Sequence, residues 1–235
     1  MCILFIYNAS NDPNSDYAVI LIANRDEYYD RPSQAMAPWC EDSSIVGGRG
    51  KIVADYLKFE KPMNVYIEDM KSYFKECNEF VFVSLELIND TPAIKTYNNA
   101  TDEIIIHEEN CLGFGNCLPQ EPLKKVEAGI IMMQDVCNRL KKLSMKEVLI
   151  KELLQVLKSE ERHLPDIQLE TRRPTIYKEL SSVFVSVPKG RYGTRTHTIL
   201  LITKSGHAEL IEHTMQEPID PANPIWVKSE FLYSF

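Results

Sequence analysis

The sequence predicts an α+β fold made of layers, with mostly antiparallel sheets. Apolar, strand-like runs cluster in the first half and again near the end of the chain, and two segments of helical periodicity lie between them. Short segments rich in Asn, Asp, Pro and Gly separate neighbouring runs, as hairpins require. The 235 residues, 44% hydrophobic and 26% charged, are enough for a core without disulfides or metal. We therefore expect a single domain over residues 1–235.

The first half of the chain is predicted to consist mainly of strands. Residues 2–7 and 17–23 are apolar, and the turn-rich segment between them predicts a hairpin. Residues 24–48 are polar and resemble a loop, whereas apolar residues within 64–77 recur at helical spacing. Three further strands are expected at 80–88, 93–97 and 103–107.

The second half is predicted to contain two helices followed by strands. The first helix starts near Pro122, because proline is favoured at a first helical position. The second starts at residues 144–147, Ser-Met-Lys-Glu, which match a capping box, and ends before Leu164. Its apolar face is expected to consist of Met145, Val148, Leu149, Leu153, Val156 and Leu157. Strands are predicted at 182–187, 198–203 and 208–212.

Charge and hydropathy exclude several classes of function. The chain has 26 Lys and Arg against 34 Asp and Glu, a net charge of −8, which argues against a nucleic-acid partner because phosphate binding needs clustered basic residues. The longest apolar runs are far shorter than the ~20 residues of a membrane-spanning helix. No basic region precedes the N-terminal apolar run, so no secretory signal is recognised. We expect a soluble, cytoplasmic protein without an integral membrane segment.

The six cysteines are scattered and predict no metal site. None forms a CxxC pair, and Cys111 and Cys117 lie six apart without a neighbouring pair of histidines. Most are expected to be reduced, buried hydrophobic side chains.

Cys2 differs from the others in its position. Methionine aminopeptidase removes Met1 when residue 2 is small, which would leave the Cys2 thiol beside a free α-amino group with a pKa of about 7.7–8.0. That amino group can accept the thiol proton and later donate it to a leaving amine. One residue would then supply both nucleophile and base. The alternative is that Cys2 is simply the first residue of a buried strand.

A second motif follows the second apolar run. Residues 24–27 read Asn-Arg-Asp-Glu, and alternating charges at a strand end are by default a solvated turn. This stretch resembles the motif that names the NRDE family, the transport and Golgi organisation proteins. Further segments resemble the same family: Met-Cys-Ile-Leu-Phe at the start, Arg31-Pro32-Ser33 followed by Trp39, residues 149–166 ending in Glu-Arg-His-Leu-Pro-Asp, and residues 192–198, Tyr-Gly-Thr-Arg-Thr-His-Thr.

The family is similar in organisation to cysteine N-terminal nucleophile hydrolases, which cleave bile-acid and penicillin amides. The resemblance implies an αββα sandwich of antiparallel sheets with Cys2 as nucleophile. Arg25 would lie near the thiol and favour the thiolate. Asp26 would orient the amino group or a substrate amide, with Glu27 as the alternative acidic partner. The plain alternative is a structural ion pair between Arg25 and Asp26.

Two later residues complete the set that the resemblance implies. Asn116, in the Gly-Phe-Gly-Asn stretch at residues 113–116, would donate a hydrogen bond to an oxyanion. Arg195 would close the site as an electrostatic group. Asn116 could equally be a turn residue.

The resemblance also implies roles outside catalysis. These are organisation of the Golgi and secretory pathway, mitochondrial and lipid metabolism, and movement of haem between compartments. The ligand would be a small molecule, either haem, a lipid or an acyl amide, and the protein could associate with the Golgi or mitochondria. Haem needs an axial His or Cys, for which His197 and Cys2 are the candidates; the alternative for His197 is a structural role. Two hypotheses follow: a trafficking protein without catalysis, or an amidohydrolase.

The sequence departs from the family pattern after Gly47-Gly48. The family continues there with a Gly-Gly-Thr-Trp segment and two core strands, one of which ends in an Asn of the oxyanion site. In this chain Arg-Gly-Lys at residues 49–51 follows at once. We therefore expect an internal deletion of several tens of residues between Gly48 and Arg49, and the loss of part of one central sheet.

Overall fold

The computed structural model describes residues 2–32, 49–59, 61–88, 91–118 and 120–234. The strands are β1 (Ile3–Asn8), β2 (Tyr17–Tyr28), β3 (Val81–Ile88), β4 (Thr91–Asn98), β5 (Glu103–His107), β6 (Cys111–Phe114), β7 (Ser186–Val187), β8 (Tyr192–Thr203), β9 (His207–Met215) and β10 (Trp226–Ser234). The helices are α1 (Arg49–Lys58), α2 (Met63–Glu76), α3 (Lys124–Arg139), α4 (Lys146–Leu157), α5 (Ile167–Arg172) and α6 (Tyr177–Leu180).

The chain divides into two compact units. The first comprises residues 1–36 and 109–235, and the second comprises residues 37–108. The α+β class with antiparallel sheets, predicted from the sequence, is present in this structure. Within the described part of the chain, no helix combines the length and the apolar character needed to cross a membrane.

The first unit contains a large antiparallel sheet. Its strands follow the order β10-β9-β8-β2-β1-β6, and the short β7 pairs with the start of β8. The predicted hairpin of β1 and β2 is confirmed, with Ile3 opposite Asn24 and Asn8 opposite Val19. β6 and β10 were not predicted, because four residues are too few to show a period and β10 has no buried side chain that would mark an inward face.

Helices α3 and α4 pack on one face of this sheet and form the main core. Phe5 of β1 and Ile22 of β2 are buried there together with Met133 of α3 and Leu153 of α4. The predicted start of the first helix near Pro122 is confirmed, since α3 begins at Lys124. The core exists because the alternating apolar residues of the strands meet the apolar stripes of both helices.

The second helix differs from its prediction. A 3-10 turn occupies Leu143–Met145, and α4 begins at Lys146 with no side chain capping its N-terminus, so the predicted capping box is wrong. Met145 and Val148 are exposed rather than part of the apolar face. The rest of the predicted face is confirmed, since the buried residues of α4 are Leu149, Leu153, Val156 and Leu157.

The second unit is a β3-β4-β5 meander with helices α1 and α2. Its core is a cluster of aromatic rings, in which Tyr66 lies edge-on to Phe74 and Phe74 edge-on to Phe80. The Tyr66 hydroxyl donates to the Ile52 carbonyl oxygen at 2.8 Å, so the buried oxygen has a partner. The three strands and α2 were predicted, whereas α1 was not.

Two expectations concern the segment before α1. Residues 24–28 continue β2 as a strand, so the predicted loop over 24–48 is wrong at its start. Residues 33–48, and with them the proposed deletion point between Gly48 and Arg49, lie outside the described residues.

Gly129 marks the closest approach of α3 to the sheet. A Cβ atom there would lie 2.1 Å from Cζ of the fully buried Phe5 ring. We expect Gly129→Ala to destabilise the protein by about 1–3 kcal/mol, the range for overpacking, despite the better helix propensity of alanine. Urea unfolding measures the change. Gln134→Ala, at an exposed position of the same helix, is the control, and Phe5→Leu should restore part of the loss; an unchanged midpoint for Gly129→Ala would contradict this packing.

Candidate functional site

The strand register brings three of the predicted residues to one end of the first unit's sheet. Ile3 pairs with Asn24 and Leu4 pairs with Phe114. If both antiparallel ladders are extended toward the N-terminus of β1, Cys2 lies opposite Arg25 in the ladder with β2. It lies opposite Asn116 in the ladder with β6. The three lie at the start of β1, in β2 and just beyond β6.

The other two predicted residues join the same end through β8. Asp26 pairs with Thr194, and a bulge follows between this pair and the pairing of Arg25 with Thr196. Arg195 is the extra residue on β8 at this bulge, which redirects its side chain. The Asn-Arg-Asp-Glu and Tyr-Gly-Thr-Arg motifs therefore face each other as paired strands, not as the turn after a strand that the sequence suggested.

Cys2 presents an exposed thiol at this end. Its Sγ atom lies 3.7 Å from the backbone carbonyl oxygen of Asp26. Cys111 and Cys137 differ, because burial raises the pKa of the Cys111 thiol to about 12 and that of Cys137 still further. Among the cysteines described, Cys2 is the exposed one, so it is the thiol best placed for chemistry.

Asp26 is a buried carboxylate held by β8. Its Oδ1 atom accepts a hydrogen bond from the Thr194 hydroxyl at 2.7 Å, and that hydroxyl accepts from the Val185 N–H at 2.9 Å. Burial raises the pKa of Asp26. The charge of the amino terminus, then that of Lys125, and the bond from Thr194 act against this rise. The carboxylate is thus fixed in orientation at the end of the sheet where Cys2 lies.

Arg25 lies on the opposite face of β2 from Asp26, since side chains alternate along a strand. Its Nη2 atom forms an ion pair with Glu27 at 3.7 Å, and Glu27 also accepts from Arg31 at 2.7 Å. Its Nη1 atom is buried and has no hydrogen-bond partner among the described residues. Glu27 is therefore committed to arginine pairing, while Arg25 retains a donor that a ligand could use.

Arg195 has a structural environment. Its fully buried guanidinium donates to the carbonyl oxygens of Tyr28, at 2.9 Å, and of Arg31, and pairs with Glu217 at 2.6 Å. It thereby ties the end of β2 to β8. Asn116 follows β6 in a bend, where its carbonyl oxygen accepts from Arg172 at 2.9 Å.

Lys125 was not predicted from the sequence. This residue lies in the first turn of α3 with no exposed surface, and its Nζ atom donates to the Ser182 carbonyl oxygen at 3.2 Å. Burial lowers its pKa, and the charges of Asp26 and Cys2 oppose that change. One signal was present: Lys125, Gly129 and Met133 share the buried stripe of the helix, where a charged residue is unusual.

Asp166, the last residue of the Glu-Arg-His-Leu-Pro-Asp motif, holds this helix. Its Oδ2 atom accepts from the Lys124 N–H at 2.9 Å, and its Oδ1 atom accepts from the Leu169 N–H at 3.0 Å. One buried carboxylate therefore caps α3 and α5 together.

His197 is a buried, neutral histidine. Its Nδ1 atom donates to Asn24 Oδ1 at 2.7 Å, while the Asn24 amide donates to the Leu157 and Val183 carbonyl oxygens. The ring stacks on Trp226, with centroids 4.6 Å apart, and has no exposed surface. A haem iron has no access to His197 in this arrangement, so the residue does not fit the ligand role that the resemblance implied.

Comparison with known proteins identifies relatives over the whole chain. The family model described as Transport and Golgi organisation 2 matches residues 1–49 and 46–217. The chain is 27% identical over 282 positions to Transport and Golgi organization protein 2 of Drosophila melanogaster, covering 100% of this chain and 99% of that protein. It is 26% identical to the homologue of Mus musculus, over 92% of this chain and 93% of the other. The homologue of Homo sapiens is also 26% identical, over 92% and 94%.

The buried His197 predicts an acid-sensitive fold. Burial, and then the charges of Lys158 and His213, lower the pKa of His197 to about 3, so the native state binds fewer protons than the unfolded chain below about pH 6.5. Stability should therefore fall as the pH drops below about 6.5, by about 1.4 kcal/mol per unit. The free energy of unfolding is measured with urea at pH 7 and at pH 5. From pH 7 to pH 5 it should fall by about 2 kcal/mol less in His197→Phe than in wild type.

The exposed His207 supplies the control for this measurement. His207→Gln should keep the wild-type pH dependence. An equally steep loss in His197→Phe would show that other groups cause the acid sensitivity.

Proposed function

Since the chain belongs to the Transport and Golgi organisation 2 family, we propose that it acts in the organisation of the Golgi and secretory pathway by handling a small-molecule ligand at the Cys2 end of its large sheet. The observation that carries the proposal is the exposed Cys2 thiol, which lies opposite Arg25 at the sheet end that also holds the buried carboxylate of Asp26. On this proposal the protein works from the cytoplasm, at Golgi or mitochondrial membranes.

The polar groups at this end support a ligand site. A buried donor without a partner costs about 1–3 kcal/mol, and Nη1 of Arg25 is such a donor among the described residues. A carboxylate, a thiolate or the carbonyl oxygen of an amide would satisfy it. A lipid or acyl amide presents such groups, and a haem would use Cys2 as its axial thiolate and Arg25 for a propionate.

A second candidate function is amide hydrolysis, favoured by the alignment of Cys2, Asp26 and Asn116 at one sheet end. After removal of Met1, the Cys2 amino group takes the thiol proton and the thiolate adds to the amide carbonyl carbon. Asn116 donates to the resulting oxyanion. Collapse of this intermediate breaks the C–N bond, and the leaving amine takes the proton from the Cys2 amino group while the acyl group stays on the sulfur as a thioester. Water, deprotonated by the same amino group, then adds to the thioester carbon. The C–S bond breaks, the acid leaves, and the sulfur takes the proton from the amino group to become a thiol again.

We also propose the αββα arrangement of N-terminal nucleophile hydrolases for the two antiparallel sheets, with an internal deletion between Gly48 and Arg49. The two segments matched by the family model meet at residues 46–49, and the alignment with the fly protein runs over 282 positions against 235 residues in this chain. Both observations support a deletion at that point.

The Golgi role is tested by replacement in Drosophila cells depleted of the matched fly protein. Wild-type chain should restore Golgi morphology and secretion of a reporter, and Cys2→Ala should not, because it lacks the thiol. Cys77→Ala, at a half-buried cysteine elsewhere, is the control. If equally expressed wild-type chain fails to rescue, the Golgi role is wrong, and full rescue by Cys2→Ala would remove Cys2 from the function.

The chemistry of Cys2 is tested by alkylation with iodoacetamide at pH 7, followed by mass spectrometry of the Cys2 peptide. Native Cys2 should react about tenfold faster than in the urea-unfolded chain, because a neighbouring guanidinium favours the thiolate. Arg25→Gln should remove most of this excess, whereas Arg191→Gln should not, since Arg191 pairs with Asp30. The intact mass should show that Met1 is absent. Equal native and unfolded rates, or retained Met1, would contradict hydrolysis.

A further inference from the structure

We propose that strand β10 is a docking surface for a second copy of this chain, which pairs with it antiparallel about a two-fold axis at Ser229. In the order of strands, β10 lies four positions from β1, the strand that Cys2 precedes, so the proposal goes beyond the function proposed above. It rests on the unpaired edge of β10, on the direction of its backbone groups and on the order of its side chains.

β10 is the longest strand at a sheet edge among those described. It pairs with β9 over nine consecutive residues without a register shift, and the order of strands ends with it. Edge strands of soluble proteins are commonly interrupted by a proline or a bulge, and β10 contains neither. Among the described residues its outer side is therefore a regular row of N–H and C=O groups that a further strand can bind.

The side chains of β10 expose apolar surface on both faces of the sheet. Leu232 is 76% exposed on one face, and Val227 and Tyr233 are exposed on the other, because side chains alternate along a strand. No residue of the strand is buried. An edge that is both regular and apolar is typical of an interface with another chain.

The hydrogen bonds to β9 determine which backbone groups of β10 point outward. The Gln216 N–H donates to the Ile225 carbonyl oxygen at 2.8 Å, directly before the first pair of the ladder, Trp226 with Met215. In an antiparallel ladder, residues alternate between bonding to the partner strand and facing away from it. The odd-numbered residues of 225–233 therefore bond to β9, and the even-numbered residues of 226–234 offer their backbone groups to a strand on the outer side.

A second copy of β10 meets these groups best in one register. Backbone bonding requires that even-numbered residues of both copies face each other. With the axis at Ser229, Lys228 lies opposite Glu230 of the second copy, and the two-fold axis repeats this pair. Moving the axis by one residue either way would set Lys228 or Glu230 opposite itself, and like charges directly opposite are unfavourable.

The other pairs in this register are complementary as well. Val227 lies opposite Phe231 of the second copy and Trp226 lies opposite Leu232, and apolar pairs of this kind stabilise a sheet. The axis closes after two chains, so the contact gives a dimer and not a fibre. Because one strand edge buries a small area, we expect a dissociation constant on the order of 10 µM.

The register is tested by charge reversal, with sedimentation velocity of the full chain over concentrations on either side of ~10 µM. Wild type should pass from monomer to dimer. Lys228→Glu and Glu230→Lys should each weaken dimerisation about tenfold, because each sets like charges opposite one another at two places. Lys124→Glu, an exposed charge reversal on α3, should match wild type.

An equimolar mixture of Lys228→Glu and Glu230→Lys should dimerise again, because every reversed charge then meets its opposite. Lys228 and Glu230 also pair within one strand. Both variants lose that pair and mixing does not restore it, so recovery in the mixture reports the contact between chains. It also shows that both variants are folded.

The position of the axis is tested with introduced thiols. Oxidation should join two copies of Ser229→Cys, because facing Cα atoms of such a pair lie ~4.5 Å apart, within reach of a disulfide. Tyr233→Cys should not cross-link, because its two copies lie roughly 27 Å apart in this register. Mass spectrometry of the linked peptides identifies the bond.

Four results would overturn the proposal. They are a wild-type chain that stays monomeric throughout the concentration series, undiminished dimerisation in each charge variant alone, a mixture that does not dimerise, and cross-linking of Tyr233→Cys in place of Ser229→Cys. Assemblies larger than a dimer would also contradict it, since the two-fold contact uses the whole outer edge of β10.

Discussion

The pairing of β2 with β8 is the constraint on which the rest of the first unit depends. Both strands have twelve residues, and their ladder joins motifs about 170 positions apart in the sequence. Gly193 shows how tightly this ladder is enclosed. A Cβ atom there would lie 2.5 Å from the Val185 carbonyl oxygen and 2.6 Å from the Tyr29 hydroxyl, so β7 can pair beside it because the residue is glycine.

The ladder holds polar side chains on its buried face, which would destabilise the fold if they were unpaired. Asn24 satisfies two carbonyl oxygens and fixes the tautomer of His197, and Thr194 relays a backbone N–H to Asp26. Such networks are specific because each member has one acceptable orientation. They orient the end of the sheet where Cys2 lies, and the same interactions that position the site therefore stabilise the strand register.

The sequence could predict the elements whose partners are local. The β1–β2 hairpin, α2 and α3 follow from periodicity and turn residues alone. Residues 24–27 were predicted as a turn, because alternating charge looks solvated until a partner strand from the far end of the chain buries Asn24 and Asp26. The resemblance to a family supplied Cys2 and its companions. Lys125 was not found, because a lysine in a helix is normally on its solvated face and its burial depends on Ser182 and Asp26.

The structure also changes which cations can act at Cys2. Arg195 was expected to act on the ligand. Its guanidinium instead donates to a carbonyl oxygen at the end of β2 and pairs with Glu217, at the bulge of β8. Arg25 has a buried nitrogen without a partner among the described residues, and Lys125 has donors in excess of its one hydrogen bond. Because a group already paired with backbone carbonyls and a carboxylate offers less to a ligand, Arg25 is better placed than Arg195 to interact with one.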